Sequence, residues 1–273
     1  MTNDRVRVSE RWLALREPAD AAAHARDLVE RLALEPPGSG RWLIHDLGCG
    51  TGAMGRWLAP LLPRPQHWVL HDRDADLLEI AKAERPGPAA DGAAVTVETR
   101  NSDIVRLRPG DLAGATLITA SALLDMLTED ELSALVTACA GAGCPVLLTL
   151  SVVGRVSLAP PDPLDRRVAA AFDGHQCRDT ERGRLLGPDA VAAAVEQFEW
   201  LGDEVLIRAS PWRLGSSQAD LALEWFTGWV RAAGEQEIGL ATDAYVRRRL
   251  AQLAAGRLAV TVEHADLLAL PRP

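Results

Sequence analysis

Asp46, Gly48, Gly50 and Gly52 stand at alternate positions in the stretch "LIHDLGCGTG", directly after an apolar run. Glycines at this spacing have a use. Gly48 permits a tight turn, Gly50 lets backbone approach a ligand, and Gly52 admits close contact between a strand and a helix. The helix that follows offers unpaired N–H groups at its start. A ligand at the carboxyl end of the strand is the expected consequence, with simple packing as the other use of a Gly-rich turn. The next strand ends in "VLHDRD", where Asp72 can accept hydrogen bonds from both hydroxyls of a ribose. Asp74 and Asp76 follow closely, and the start of a helix accounts for both, since carboxylates favour a helix N-terminus. After a third strand, "NSD" places Asp103 either against an adenine amino group or in a turn.

The elements that must position these residues follow from the alternation of apolar runs. "RWLIHDLG" reads as a buried strand and "AMGRWLAPLL" as the helix after the turn. Strand and helix then recur through "HWVLHDRD", "ADLLEIAKAE", "AAVTVETRNSD", "ATLITAS", "TEDELSALVTACAGA" and "CPVLLTLSVVG". Such βαβ repetition, with strands apolar on both faces, predicts a doubly wound, mainly parallel α/β sheet covered by helices. Upstream, "ERWLALREPADAAAHARDLVERLAL" fits two short helices, the second starting near Pro18. "PPGSG" marks a loop. Residues 155–186 read as an insertion near the ligand face. They are followed by the helix "GPDAVAAAVEQFEWLG", the strand "EVLIRAS", two further helices and the strand "RLAVTVEHADLLAL", expected at or near the sheet edge.

Composition narrows the function classes. The 273 residues are 48% apolar and 25% charged, enough for one large domain with a filled core. No apolar run is long enough to span a bilayer, and "MTNDRVRVSERW" has no signal-peptide pattern, so a cytoplasmic protein is expected. A net charge of -9 opposes nucleic-acid binding and favours a small-molecule partner. Cys49, Cys139, Cys144 and Cys177 lack paired zinc spacing and read as reduced thiols, so no metal is expected. Lys82 is the only lysine among many arginines, as in chains coded by GC-rich bacterial genomes.

Over residues 41 to 151 the sequence resembles the class I, Rossmann-like S-adenosylmethionine-dependent methyltransferases. The resemblance implies that Asp46, Gly48, Cys49, Gly50 and Gly52 hold the methionine part of S-adenosylmethionine. It implies further that Asp72 binds the ribose with Arg73 beside it, and that Asp103 and Ile104 contact the adenine. "ITASALLDML", which begins at Ile118 and includes Ser121, resembles the family's fourth motif, beside the reacting methyl group. The implied architecture is one domain over 1–273 with a seven-stranded sheet. Residues 1–40 would form an N-terminal helical lid, 41–154 a cofactor-binding half, and 155–273 an acceptor-side half with a helical insertion before the last strand. A nicotinamide-dependent dehydrogenase shares the strand, turn and acid, but its G-x-G-x-x-G spacing places the third glycine one residue later. A P-loop would need G-K-[ST] after the turn, which is lacking. RNA or protein methylation remains the alternative acceptor class.

Methyl transfer from a sulfonium asks the protein mainly to align the acceptor and exclude water. The stretch "FDGHQCRDTERGR" offers His175 as a base and Arg178 as a clamp for an anionic acceptor, or reads as a solvated loop with an Arg178–Asp179 pair. Arg208, Trp212 and Arg213 are further candidates near the mouth, with core or rim packing as the other reading of Trp212, and Arg16 is a candidate near the N-terminal lid. Trp225 and Trp229, spaced i and i+4, read as a buried helix stripe, and Arg247 to Arg249 as a solvated helix face.

Overall fold

The computed structural model describes residues 8–34, 38 and 40–272. Residues 1–7 and most of the expected "PPGSG" loop lie outside them. Two helices come first, α1 (Glu10–Ala23) and α2 (Arg26–Leu34). Pro18 does not start the second helix, as the sequence suggested, but sits inside α1. The break falls at His24 and Ala25, because the Ala25 N–H donates to Asp266 Oδ2 at 2.8 Å instead of continuing the helix. Leu28, Val29 and Leu32 of α2 are buried, while Leu34 is left exposed.

The expected alternation is present as β1 (Trp42–Leu47), α3 (Ala53–Leu58), β2 (Gln66–Asp72), α4 (Ala75–Ala83), β3 (Val95–Asn101), β4 (Leu117–Ser121), α5 (Glu129–Ala140) and β5 (Val146–Ala159). It continues with α6 (Asp165–Gln176), β6 (Asp179–Thr180), β7 (Gly183–Arg184), α7 (Ala190–Trp200), β8 (Glu204–Ala209), β9 (Trp212–Leu214), α8 (Ala219–Gln236), α9 (Asp243–Ala254) and β10 (Ala259–Leu270). The main sheet runs β3-β2-β1-β4-β5-β10-β8, with β9 pairing β10 as an eighth strand. Neighbours from β3 to β5 are parallel; β10 is antiparallel to both β5 and β8. This is the doubly wound α/β sheet that the alternation predicts. One apolar cluster joins α2 and α3 to Trp42, Ile44 and Trp68, and another joins α5 and α7 to Leu47, Ile118 and Leu148.

The region read as a loose insertion is ordered. β5 continues past the expected end at Gly154 because Val156 to Ala159 pair with Val262 to Ala259 of β10. This ribbon extends beyond the carboxyl edge of the parallel strands. α6, α8 and α9 pack on it through Trp212, Trp225, Phe226, Trp229 and Tyr245, and Trp225 stacks on Trp229 at 5.2 Å. At the base of the ribbon the Asp266 carboxylate also accepts the Leu150 N–H at 2.8 Å.

Arg249 overturns its expected place on a solvated face, for it is fully buried. It is ion-paired with Asp165, and its Nη1 donates to Pro160 O at 2.6 Å and Gln252 Oε1 at 2.9 Å. Tyr245 Oη donates to the same Asp165 at 2.8 Å. A buried guanidinium needs such a partner to offset its lost hydration, and Asp165 lies too far off in sequence to be seen from α9 alone. Among the described residues, no helix is long and apolar enough to cross a membrane.

Candidate active site

The turn after β1 is left-handed at each glycine, with φ of 68° at Gly48, 54° at Gly50 and 82° at Gly52. A Cβ at Gly50 would meet Leu13 Cδ1 at 3.2 Å, and one at Gly52 would meet Ala81 Cβ at 3.3 Å. The glycines are therefore needed where neighbouring side chains, Leu13 of α1 and Ala81 of α4, close on the turn. The Cys49 N–H donates to His71 O at 2.9 Å, tying the turn to β2. Asp72 secures it further, because its Oδ2 accepts the Gly50 N–H and its Oδ1 the Asp74 N–H, each at 2.9 Å. A carboxylate has about four acceptor positions, so capacity remains for other donors. Asp74 caps α4 by accepting from the Asp76 N–H at 3.0 Å, as expected of an acid at a helix start. The Asn101 amide then binds the carbonyls of Asp72 and Arg73, joining β3 to the same unit.

Asp46 lies beneath the turn at 1% exposure. Thr119 Oγ1 donates to its Oδ1 at 2.9 Å, while Oδ2 is buried without a partner among the described residues. Burial pushes its carboxyl up to about 7, against the Thr119 hydrogen bond. An orphaned carboxylate oxygen beside a glycine turn suits a donor such as an ammonium group. Burial also raises the Cys49 thiol, so this cysteine is a packing group rather than a nucleophile. His45 Nδ1 and His71 Nε2 lie 3.0 Å apart, and burial holds both rings down at about 4, as a neutral pair.

These groups open into a cavity of about 1100 Å³. Asp46, Gly48, Cys49, Gly50, Asp72, Arg73, Asp103, Ile104 and Ser121 all line it, so the structure brings together nearly every residue singled out at this end. Gly52 is the exception, turned instead toward Ala81 of α4, a helix-to-helix approach rather than the strand–helix contact the sequence suggested. Single small-ligand sites run to roughly 300–1,000 Å³, so the space admits a second molecule.

The far wall comes from α1, the ribbon and the helices on it. Trp12 and Trp212 face each other at 6.2 Å, and the Arg16 guanidinium lies 5.0 Å over the Trp212 ring. Asp20 fixes both, accepting from Arg16 Nε at 2.8 Å and from Trp212 Nε1 at 2.9 Å. Phe172, Trp225 and His264 complete the wall, and burial holds the His264 ring neutral at about 4. Arg178 also lines the cavity, its Nη1 donating to His175 O at 3.0 Å. His175 itself does not reach it. Its ring turns toward α8, with Nδ1 3.9 Å from Glu235. Arg208 pairs with Asp27, and Arg213 is exposed on β9, so neither forms the expected mouth.

Sequence reasoning missed Asp125, in the 3₁₀ turn Leu124–Met126 after β4. Its carboxylate lines the cavity, accepts from Gln176 Nε2 at 3.3 Å, and is pushed by burial up to about 6. The available signal was a lone acid inside the apolar run "ALLDML".

No protein-family model matches the sequence, and no curated protein matches it. Solved structures do. The cyclopropane synthase MmaA2 from Mycobacterium tuberculosis aligns at a TM-score of 0.50 with 13% identity, covering 96% of this chain and 94% of that one. The mycolic acid cyclopropane synthase CmaA1, complexed with SAH and CTAB, aligns at 0.50 with 14% identity, covering 95% and 94%. The chain shares its fold with these two synthases. In this fold the glycine turn and the ends of β2, β3 and β4 form one side of the cavity, and the β5–β10 ribbon carries the other.

Proposed function

We propose that the chain is an S-adenosylmethionine-dependent methyltransferase acting on a small molecule. The observation that carries this is the single cavity in which the orphaned Asp46 oxygen, the glycine turn and Asp72 face an aromatic wall across space for a second ligand. When bound, S-adenosylmethionine supplies a methyl group activated by its sulfonium sulfur, which keeps the electron pair of the broken carbon–sulfur bond. Asp46 and the turn from Gly48 to Gly52 would hold its methionine portion. Asp72, with Arg73 beside it, would take the ribose hydroxyls, Asp103 and Ile104 would meet the adenine, and Ser121 would stand near the transfer centre. Residues 41–154 then serve the cofactor and 155–273 the acceptor, while α1, from the 1–40 segment, closes the cavity. Trp12, Trp212 and Trp225 exclude water and orient the acceptor, which is most of what a displacement of this kind requires.

Calorimetry with S-adenosylhomocysteine, in the presence of a metal chelator, tests the reading. Binding in the micromolar range is expected, with NADH binding far more weakly. Tight NADH binding without adenosylhomocysteine binding would reverse it.

A further inference from the structure

We propose that the acceptor is a small monocarboxylate lying between Arg178 and Asp125, its acid group against the guanidinium and its hydroxyl or amine nucleophile against the aspartate. The inference rests on the methyl-transfer reading above and specifies the acceptor half of the same site.

Two arginines lining the cavity, Arg26 and Arg178, form no ion pair among the described residues, and of these two Arg178 is the one whose charge acts on Asp125. Arg16 is paired with Asp20, Arg56 with Glu17 and Arg182 with Glu131. Arg178 forms no ion pair among the described residues, and its one partner is the His175 carbonyl. A guanidinium has five N–H donors in a fixed fork that matches a carboxylate, so most of its donors remain for a ligand. Asp125 lines the same cavity and feels the charges of Arg16 and Arg178 without forming an ion pair with either. The two groups are held apart by one element. The last turn of α6 supplies both the His175 carbonyl that fixes Arg178 and the Gln176 amide that holds Asp125. A seat with a cation on one side and a carboxylate on the other is thereby preformed.

Chemistry narrows the occupant. One guanidinium fork matches one carboxylate bidentately, and Asp125 repels a doubly charged phosphate monoester more strongly than a singly charged acid. Phe172, Trp225 and Trp212 wall the adjoining space, which suits an aromatic or alicyclic body. In the reaction the nucleophile's proton passes to a carboxylate oxygen of Asp125. Its lone pair forms the bond to the transferred carbon, and the carbon–sulfur pair stays on sulfur.

The experiment is calorimetry on protein first saturated with S-adenosylhomocysteine. The probes are benzoate and 3-phenylpropionate, each paired with its uncharged amide, and phenyl phosphate. At least one acid should bind about tenfold or more tightly than its amide, the scale of a charge-assisted contact. Arg178→Gln should erase that preference and Arg178→Lys keep part of it, both with wild-type melting temperature. Asp125→Asn, which removes a repelling charge, should tighten the acid several-fold. Amides that match their acids, a preference that survives Arg178→Gln, or phenyl phosphate as the tightest ligand would each overturn the proposal. Failure of adenosylhomocysteine to bind in the first titration would instead strike the methyl-transfer reading.

Discussion

The Asp72 carboxylate holds the Gly50 N–H at 2.9 Å across 22 residues of sequence, so the end of β2 and the glycine turn are one rigid unit. The acid proposed to bind ribose therefore also sets the turn proposed to hold the methionine portion. Asp72→Ala should weaken S-adenosylhomocysteine by on the order of 1–3 kcal/mol, the scale for hydrogen bonds to a charged acceptor. Calorimetric affinity unchanged from wild type would place the ribose contact elsewhere.

Binding should also move a proton. With its carboxyl at about 7, Asp46 is mostly protonated in the free protein at pH 6. A bound ammonium group favours the ionised form, so cofactor binding at pH 6 should release close to one proton, and at pH 8.5 almost none. Titrations in buffers of different ionisation enthalpy count that proton. Asp46→Asn should abolish the release, and a buffer-independent enthalpy in wild type at pH 6 would remove Asp46 from the role.

The same group shapes stability. Burial raises its folded-state value above the ordinary 3.8, so between about pH 4 and 7 the folded chain keeps a proton that the unfolded chain has lost. The contribution of Asp46 to stability therefore falls as pH rises through that window and levels off above it. Urea denaturation of wild type against Asp46→Asn across pH 5 to 8 should show the two curves diverging as pH rises, with the wild type losing ground.

Gly52→Ala should destabilise the fold. Its φ of 82° is left-handed, and the added methyl meets Ala81 Cβ, which cannot swing aside. A penalty of about 1–2 kcal/mol for the backbone alone is expected. It should appear as a lower melting temperature without cofactor, and a melt equal to wild type would contradict the tight packing of the turn on α4.

Removing the Arg249 guanidinium should cost more. Arg249→Met leaves the half-buried Asp165 without its cation, a loss of up to roughly 3–5 kcal/mol. Asp165→Asn should be similar in size, and the double variant Arg249→Met, Asp165→Leu should recover much of it. A double variant no better than either single one would show that the cluster is not an isolated pair.

Much of the glycine-turn side of the cavity was legible because its signals are local. Each strand, glycine and acid from Trp42 to Ser121 lies within a few residues of the pattern that announces it, and the parallel order follows from the alternation. The opposite side depends on distant pairings. Arg249 looked solvated because its partner Asp165 lies outside any helical window, and β5 looked shorter because its last residues are held by β10. His175 and Arg178 stood together in a polar stretch, yet α6 extends to Gln176 and turns the histidine away while leaving the arginine in the cavity. Asp125 carried no spacing pattern at all. Its meaning comes from burial, which only the fold supplies.

Asp266 imposes an order on synthesis. Its carboxylate holds the Ala25 N–H, the point between α1 and α2, and that amide precedes it by 241 residues. At translation rates of about 5–20 residues per second, α1 and α2 wait on the order of 10–50 s after leaving the ribosome before the strand that anchors them exists. During that time Leu28, Val29 and Leu32 have no completed sheet to cover them. The break between α1 and α2 is thus among the earliest of the described features to be made, while the carboxylate that anchors it is among the last.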